Sequence, residues 1–166
     1  MTGPGSAGTL GDLLTSRRRR RFVGRTSEIE LFRMALESAE PPFVLLHLHG
    51  PPGIGKTSLL DVYAELASDA GASVIRLDGR DLVPSPSAVL QVLGVHEVPE
   101  GSIAGLSDIG RLVIMFDSYE RLAPLDEWVR TWLVPRLPAT ALTVLVGGQH
   151  RTRPGVLIRP GGSCCG

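Results

Sequence analysis

Lysine is nearly absent from this 166-residue chain, and cysteine is scarce. Lysine occurs once, at Lys56, against 16 arginines, and the two cysteines, Cys164 and Cys165, are neighbours. Adjacent cysteines at one end cannot cross-link a core, so a disulfide scaffold is excluded. No run approaches the roughly 18 apolar residues of a membrane-spanning helix, and no apolar signal segment precedes the N-terminal arginines. We therefore expect a cytoplasmic protein without membrane contact.

The charges sum to zero but are unevenly distributed. Residues 28–150 are acidic, whereas residues 1–27 and 151–166 are basic, and Arg17–Arg21 form an uninterrupted block of positive charge. This block would contact nucleic acid or an acidic membrane, or else be a solvated tail. We favour the tail, because the block has neither interleaved aromatic residues nor helical periodicity. A salt-titrated DNA-binding assay with and without residues 1–21 separates these alternatives.

Helical and strand patterns alternate along the middle of the chain. Apolar runs predict strands, and amphipathic spacing predicts helices between them. The predicted strands are 43–49, 73–78, 112–117 and 141–146. The predicted helices are about 27–38, 56–70, 87–93 and the region of Leu125 to Leu133. Ser27 and Glu30 are predicted to cap the first helix, and 94–110 is predicted to be a loop. This order is typical of a three-layer α/β domain with a mainly parallel sheet. We place it at 22–150, between a flexible basic leader (1–21) and an irregular, disordered tail (151–166).

One segment matches the phosphate-binding pattern G-x-x-x-x-G-K-[ST] completely: Gly50-Pro51-Pro52-Gly53-Ile54-Gly55-Lys56-Thr57. Glycines let such a loop aim its N–H groups at a phosphate, and the following helix N-terminus attracts an anion. The lysine reaches the terminal phosphates and the hydroxyl binds Mg²⁺. A predicted strand enters the loop, a helix leaves it, and the single lysine stands where the pattern requires one. The sequence therefore predicts that residues from Gly50 to Ser58 bind a nucleotide, with Lys56 also in a catalytic role.

A second candidate element is Asp117, which ends the predicted strand 112–117. A carboxylate at that end of a strand lies beside the phosphate loop and can hold Mg²⁺ through water, so Thr57 and Asp117 form the predicted metal site. Glu120 would orient or deprotonate the attacking water, or be merely the first exposed acid of a helix. Gln149 would be a polar residue near the γ-phosphate, or a simple loop residue.

Two further pairs receive structural interpretations. His47 and His49 share one face of a strand, but no cysteine or acid at ligand spacing joins them, so we expect hydrogen bonding at the strand end rather than metal binding. Trp128 and Trp132 stand four residues apart, and we expect them on the core-facing side of a helix rather than on a base-stacking platform.

The phosphate loop and three other segments of the chain together resemble bacterial AAA+-like ATPases. The resemblance is greatest to the signal-transduction ATPases with numerous domains, whose modules are often termed Orc1-like AAA ATPase domains. The resemblance covers about 22–149 and rests on the phosphate loop and on three other segments, Phe22–Arg25, Leu77–Asp81 and Asp117–Asp126. It implies a P-loop NTPase fold, ATP and Mg²⁺ as ligands, and a nucleotide-controlled switch. It also implies partner domains or self-association through the ATPase face.

Two departures from that family affect the expected activity. Family members usually carry an arginine at the position of Gln149, and they continue into a helical lid, whereas this chain ends in an aperiodic segment that resembles a truncation. We therefore expect a regulatory module that binds ATP and Mg²⁺ with modest affinity, with ATP hydrolysis weak or absent. The rival hypothesis is a non-catalytic module that contacts nucleic acid through its basic leader. A small-molecule phosphotransferase is a third possibility, for which no segment supplies an acceptor pocket.

Overall fold

The computed structural model describes residues 26–97, 103–106 and 109–148, together with a strand at 156–158. The predicted leader, the segment Phe22–Arg25, Gln149 and the predicted tail apart from 156–158 lie outside these residues. Within the described part of the chain, none of the helices combines the length and apolarity needed to cross a bilayer.

From α1 to β6, helical segments alternate with the strands of the main sheet in the predicted order. They are α1 (Thr26–Glu37), β1 (Phe43–His49), α2 (Lys56–Asp69), β2 (Ser73–Asp78), α3 (Pro86–Val92), β3 (His96–Glu97), β4 (Ile103–Ala104), β5 (Leu112–Asp117), a 3₁₀ helix (Tyr119–Leu125), α4 (Asp126–Trp128), a π-helical turn (Val129–Leu133), α5 (Val134–Arg136), β6 (Leu142–Gly147) and β7 (Val156–Ile158). The small antiparallel pair of β3 and β4 lies where the sequence predicts only loop.

The main sheet has the strand order β2-β5-β6-β1-β7. Its first four strands are parallel, so their carboxyl ends meet at one edge, which we call the carboxyl edge. At this edge Asp78 is the register partner of Asp117, and His49 is the partner of Gly147. The phosphate-loop segment follows β1 and Asp117 ends β5, so the fold delivers both to the same edge, with β6 between them.

Alternating side chains of β5 enter two separate cores. Leu112, Ile114 and Phe116 pack with α3 and the helical segment after β5, whereas Val113 and Met115 pack with α1 and α2. Helices therefore cover both faces of the sheet, which confirms the predicted three-layer α/β fold.

Helix α1 is fastened to the sheet and to α2 by specific contacts. The rings of Phe32 and Tyr63 stack with their centroids 4.1 Å apart. Arg111, just before β5, donates to the carbonyl oxygens of Ala35 (2.7 Å) and Ser38 (2.5 Å). The last carbonyls of a helix have no hydrogen-bond partners within the helix, so this guanidinium caps the C-terminal end of α1.

The predicted start of α1 is wrong by a small margin. Ser27 is predicted as the capping residue, but it lies inside the helix, which already includes Thr26. Helix boundaries read from sequence commonly shift by a residue or two, because several polar residues in succession can serve as caps.

The predicted amphipathic helix after β5 is broken into short pieces. Its apolar residues do face the core, but the backbone passes through 3₁₀, α and π geometry between Tyr119 and Arg136. Pro124 lies in the 3₁₀ stretch and Pro135 in the last turn, and neither has an N–H for an α-helical bond. Trp128 and Trp132 stack on each other and pack against the core while remaining partly exposed, so their prediction as core residues holds in part.

The predicted irregular tail is corrected at one place. Val156–Ile158 form β7, which pairs antiparallel with β1. These three residues are apolar and mostly β-branched, a composition that favours strands. Without β7, β1 would be an edge strand with unpaired N–H and C=O groups along one side.

Candidate functional site

The segment Gly50–Thr57 joins the end of β1 to the start of α2, as the motif requires. Gly53 (φ 80°) and Gly55 (φ 85°) both take left-handed backbone conformations, which glycine adopts without strain. Gly55 precedes Lys56, the first residue of the 14-residue helix α2. The loop therefore wraps over the N-terminus of this helix, where orphan N–H groups and the helix dipole favour an anion.

The Lys56 side chain folds back over this loop. Its Nζ donates to the carbonyl oxygens of Gly50 at 2.7 Å and Pro51 at 2.8 Å. These two bonds hold the ammonium group at the mouth of the loop, so its position is fixed by backbone atoms. A phosphate entering the loop meets a positive charge that is already placed.

Asp117 lies beside the loop and is almost fully buried. Its Oδ1 accepts from the backbone N–H of Ser118 at 2.8 Å, and the Thr57 hydroxyl points at the same oxygen from 3.4 Å. Its Oδ2 pairs with the Arg76 guanidinium at 3.0 Å. The fold thus brings Thr57 and Asp117 together although they are 60 positions apart in sequence.

Glu120 reaches across the carboxyl edge to β6. Its Oε2 accepts from the backbone N–H of Gly148 at 2.8 Å. The approach is close, because a Cβ at Gly147 would stand 2.8 Å from that same oxygen and 3.0 Å from the Glu120 nitrogen. Ser118, which precedes the 3₁₀ helix, has a φ of 51° and so turns the chain sharply between Asp117 and Glu120.

These residues enclose a cavity of about 430 Å³, a volume in the range of ligand pockets. It is lined by Pro52, Gly53, Gly55, Lys56, Thr57, Ser58, Asp117, Ser118, Glu120, Gly147 and Gly148. Most of the predicted site residues therefore border one cavity. Gly50, Pro51 and Ile54 belong to the loop but are not among the lining residues, and Gly50 and Pro51 act through their carbonyl contacts with Lys56.

Four residues at this edge were missed by sequence reasoning. Ser118, Gly147 and Gly148 line the cavity, and Arg76 holds Asp117. The glycines after the apolar run 141–146 were a signal for close backbone approach, but Arg76 carries no motif. Its contact depends on β2 lying beside β5 in register.

The chemistry of the donor set fits a magnesium–nucleotide complex. Mg²⁺ is commonly held by one or two protein oxygens together with substrate phosphates. Thr57 and Asp117 supply a hydroxyl and a carboxylate of this kind, next to a loop shaped for phosphate. Among the described residues, no group of three or more His, Cys, Asp or Glu side chains is placed to hold a metal ion.

A second polar network joins β1 to the helical segment after β5. Nδ1 of His47 accepts from Arg130 at 3.2 Å, Arg130 pairs with Asp126 at 3.0 Å, and the Tyr119 hydroxyl donates to Asp126 at 3.1 Å. Burial, and then the Arg130 charge, lower the pKa of His47 below 6.5, and burial raises the pKa of Tyr119. The prediction that His47 forms a strand-end hydrogen bond is confirmed, while His49 is exposed on the same strand.

The arginines of the helical segment after β5 and Arg80 are not among the residues that line the cavity. The hydrogen-bonded Arg80 guanidinium lowers the pKa of Asp78 to about 2. Arg121 is exposed. Arg136 donates to the backbone carbonyl of Trp132, and its guanidinium lies over the Trp132 indole ring. Lys56 is thus the one cation among the described cavity-lining residues.

Fold and cavity together define a P-loop nucleotide-binding domain. Residues 21–98 match the family model of the AAA ATPase domain. This match covers just under half of the chain and supports the resemblance to AAA-type P-loop ATPases. The matched residues end before β5, so this match does not include Asp117 and Glu120. Their place in the candidate site depends on the geometry described above.

The chain is similar to several solved structures. Cdc6p from Pyrobaculum aerophilum superposes with a TM-score of 0.53 at 20% identity, over 78% of this chain and 40% of that chain. C. elegans PCH-2 matches with a TM-score of 0.49 at 19% identity, over 77% of this chain and 37% of that chain. The RuvB branch migration motor of Thermotoga maritima has a TM-score of 0.43 at 22% identity, over 78% and 39% of the two chains. The chain thus spans about two-fifths of the length of these proteins.

Proposed function

We propose that this domain binds ATP with Mg²⁺ at the carboxyl edge and acts as a nucleotide-controlled regulatory module of bacterial AAA+ type. One observation carries the proposal: the phosphate loop with Lys56 meets the Thr57–Asp117 pair at a single cavity. The nucleotide-binding residues are then those from Gly50 to Ser58. The domain itself is taken as 22–150, in the cytoplasm, with partner domains or self-association through the ATPase face.

The loop and Lys56 supply the binding of the phosphates. The N–H groups at the start of α2 and the helix dipole attract the phosphate oxygens, and the Lys56 ammonium, already held at the mouth of the loop, donates to the terminal phosphates. Thr57 and Asp117 would hold Mg²⁺, which neutralises phosphate charge when bound.

We further propose that hydrolysis by this chain alone is weak or absent. Phosphoryl transfer needs the attacking water oriented and the developing charge stabilised. The Glu120 carboxylate is the candidate base, but one of its oxygens is already engaged by the Gly148 N–H. Lys56 is the single cation among the described lining residues, where it faces two acids, Asp117 and Glu120. The cavity therefore favours binding of a magnesium-neutralised nucleotide over stabilisation of additional charge.

The binding test compares wild type with Lys56→Ala by titration calorimetry with ATP and Mg²⁺. Losing a charged hydrogen-bond donor costs about 2–3 kcal/mol, so we expect affinity to fall about 100-fold. Arg33→Ala is the matched control, because Arg33 is an exposed cation on α1 whose removal makes the same change in net charge. Equal affinity of wild type and Lys56→Ala would contradict the site assignment.

The same preparations decide the question of turnover. Single-turnover hydrolysis is measured for wild type, Asp117→Ala and Glu120→Gln, and we expect little product from any of them despite ATP binding by wild type. A fast wild-type rate that is lost in both variants would instead establish a complete ATPase.

A further inference from the structure

Arg76 bridges two carboxylates at the carboxyl edge. One guanidinium nitrogen lies 3.0 Å from Oδ2 of Asp117, and another lies 2.6 Å from Oδ1 of Asp61 on α2. The three side chains differ in exposure: Asp117 is 6% exposed, Asp61 30% and Arg76 35%. The arginine therefore connects a buried carboxylate of the candidate metal site to a carboxylate nearer the surface.

The two oxygens of Asp117 are held differently. Oδ1 faces the Ser118 N–H and the Thr57 hydroxyl, whereas Oδ2 is occupied by the guanidinium. A divalent cation and a guanidinium both seek the negative charge of the same carboxylate. They therefore oppose each other at Asp117, through direct repulsion and through competition for Oδ2.

Asp61 is a second ion-pair partner of Arg76, besides Asp117. A guanidinium stays charged in proteins, and Arg76 donates to both Asp61 and Asp117. If Arg76 releases Asp117, its contact with Asp61 remains. The change then breaks one contact of the bridge rather than both.

We propose that Arg76 is a positioning residue that sets the metal affinity of the site by competing with Mg²⁺ for Asp117, with Asp61 retaining the arginine once the metal is bound. The inference rests on the proposed ATP–Mg²⁺ function. Without metal, Arg76 compensates the buried charge of Asp117 and keeps the site ordered. With metal, that compensation passes to Mg²⁺.

The test measures ATP affinity by calorimetry as a function of free Mg²⁺ concentration. In Arg76→Met we expect the half-maximal Mg²⁺ concentration to fall about tenfold, since about 1.4 kcal/mol of competition is removed. In Asp61→Asn it should rise several-fold, because Arg76 then has Asp117 as its main partner. The double variant should match Arg76→Met, since the Asp61 effect acts through the arginine.

Two further variants separate this competition from a general effect of charge. Arg80→Met removes an exposed cation that pairs with Asp78, and we expect it to keep the wild-type Mg²⁺ dependence. Arg76→Lys keeps the charge but has one ammonium in place of the bridging fork, and we expect an intermediate value. Circular dichroism checks folding, and if Arg76→Met fails to fold, Asp61→Asn and Arg76→Lys still decide the question.

The outcomes separate the two proposals. If wild type binds no ATP at any Mg²⁺ concentration, the proposed function fails and this inference fails with it. If wild type binds ATP but the Arg76 and Asp61 variants keep its Mg²⁺ dependence, only the role of Arg76 is overturned. A weaker Mg²⁺ response in Arg76→Met would also overturn it, because the arginine would then assist the metal.

Discussion

Gly147, the last residue of β6, packs against Glu120 so closely that alanine should displace the carboxylate. An added Cβ would lie 2.8 Å from Glu120 Oε2, 3.0 Å from the Glu120 nitrogen and 3.4 Å from the Tyr119 Cβ. The carboxylate can swing away, but it then loses the bond that it accepts from Gly148. The backbone nitrogen has less freedom to move.

The expected loss of stability combines these two effects. A hydrogen bond to a charged group contributes about 1.5–3 kcal/mol, and Glu120 is partly exposed, which favours the lower end. Overpacking against the backbone adds about 1 kcal/mol. We therefore expect Gly147→Ala to lower the free energy of unfolding by about 2–3 kcal/mol. In a Glu120→Ala background, only the backbone crowding of about 1 kcal/mol should remain.

Urea denaturation followed by circular dichroism measures both values. Gly148→Ala is the control, because the nearest atoms to its added Cβ are 3.9 Å away, an ordinary van der Waals distance. The reasoning would be refuted if both glycine variants lost the same stability, or if Gly147→Ala cost as much without the Glu120 side chain as with it.

Two other predictions concern stability away from the cavity. Arg111→Ala should cost about 2 kcal/mol in urea denaturation, because the carbonyls at the end of α1 lose a charged donor, whereas the exposed Arg33→Ala should cost less than about 0.5 kcal/mol. Since burial and Arg130 hold the pKa of His47 below 6.5, the unfolded chain takes up a proton first as pH falls, and stability should decline below about pH 6.5. In His47→Gln, the loss of stability between about pH 7 and 5 should become smaller, whereas His49→Gln should lose stability as the wild type does. If His47→Gln loses as much stability as the wild type, another group causes the decline.

The phosphate loop and the buried strands could be predicted from sequence because their signals are local. Gly50–Thr57 carries a complete motif, and apolar runs such as Leu112–Asp117 have the composition of a strand covered on both faces. The meeting of Asp117 with Thr57 follows from the rule that parallel strands end at a common edge. Those predictions needed only the phosphate-loop motif, the periodicity of the apolar residues and the common edge of parallel strands.

The contacts that adjust the site could not be predicted in this way. Arg76 meets Asp117 because β2 pairs with β5 in one particular register, which no pattern in the sequence specifies. The bond from Gly148 to Glu120 depends on the sharp turn at Ser118. The helical segment from Tyr119 is not one regular helix, because Pro124 and Pro135 interrupt its hydrogen bonding, and the apolar period alone does not show this.

The pairing of β7 with β1 has a consequence for the order in which this protein acquires its structure. During synthesis, β1 leaves the ribosome before its neighbour β6, which follows only after about 100 further residues. Its other neighbour, at Ile158, follows later still. Contacts between such distant residues form slowly, because a long chain must close before they do. A nascent chain would therefore expose an apolar strand with two unpaired sides, which makes the β1 region the part most in need of protection before folding is complete.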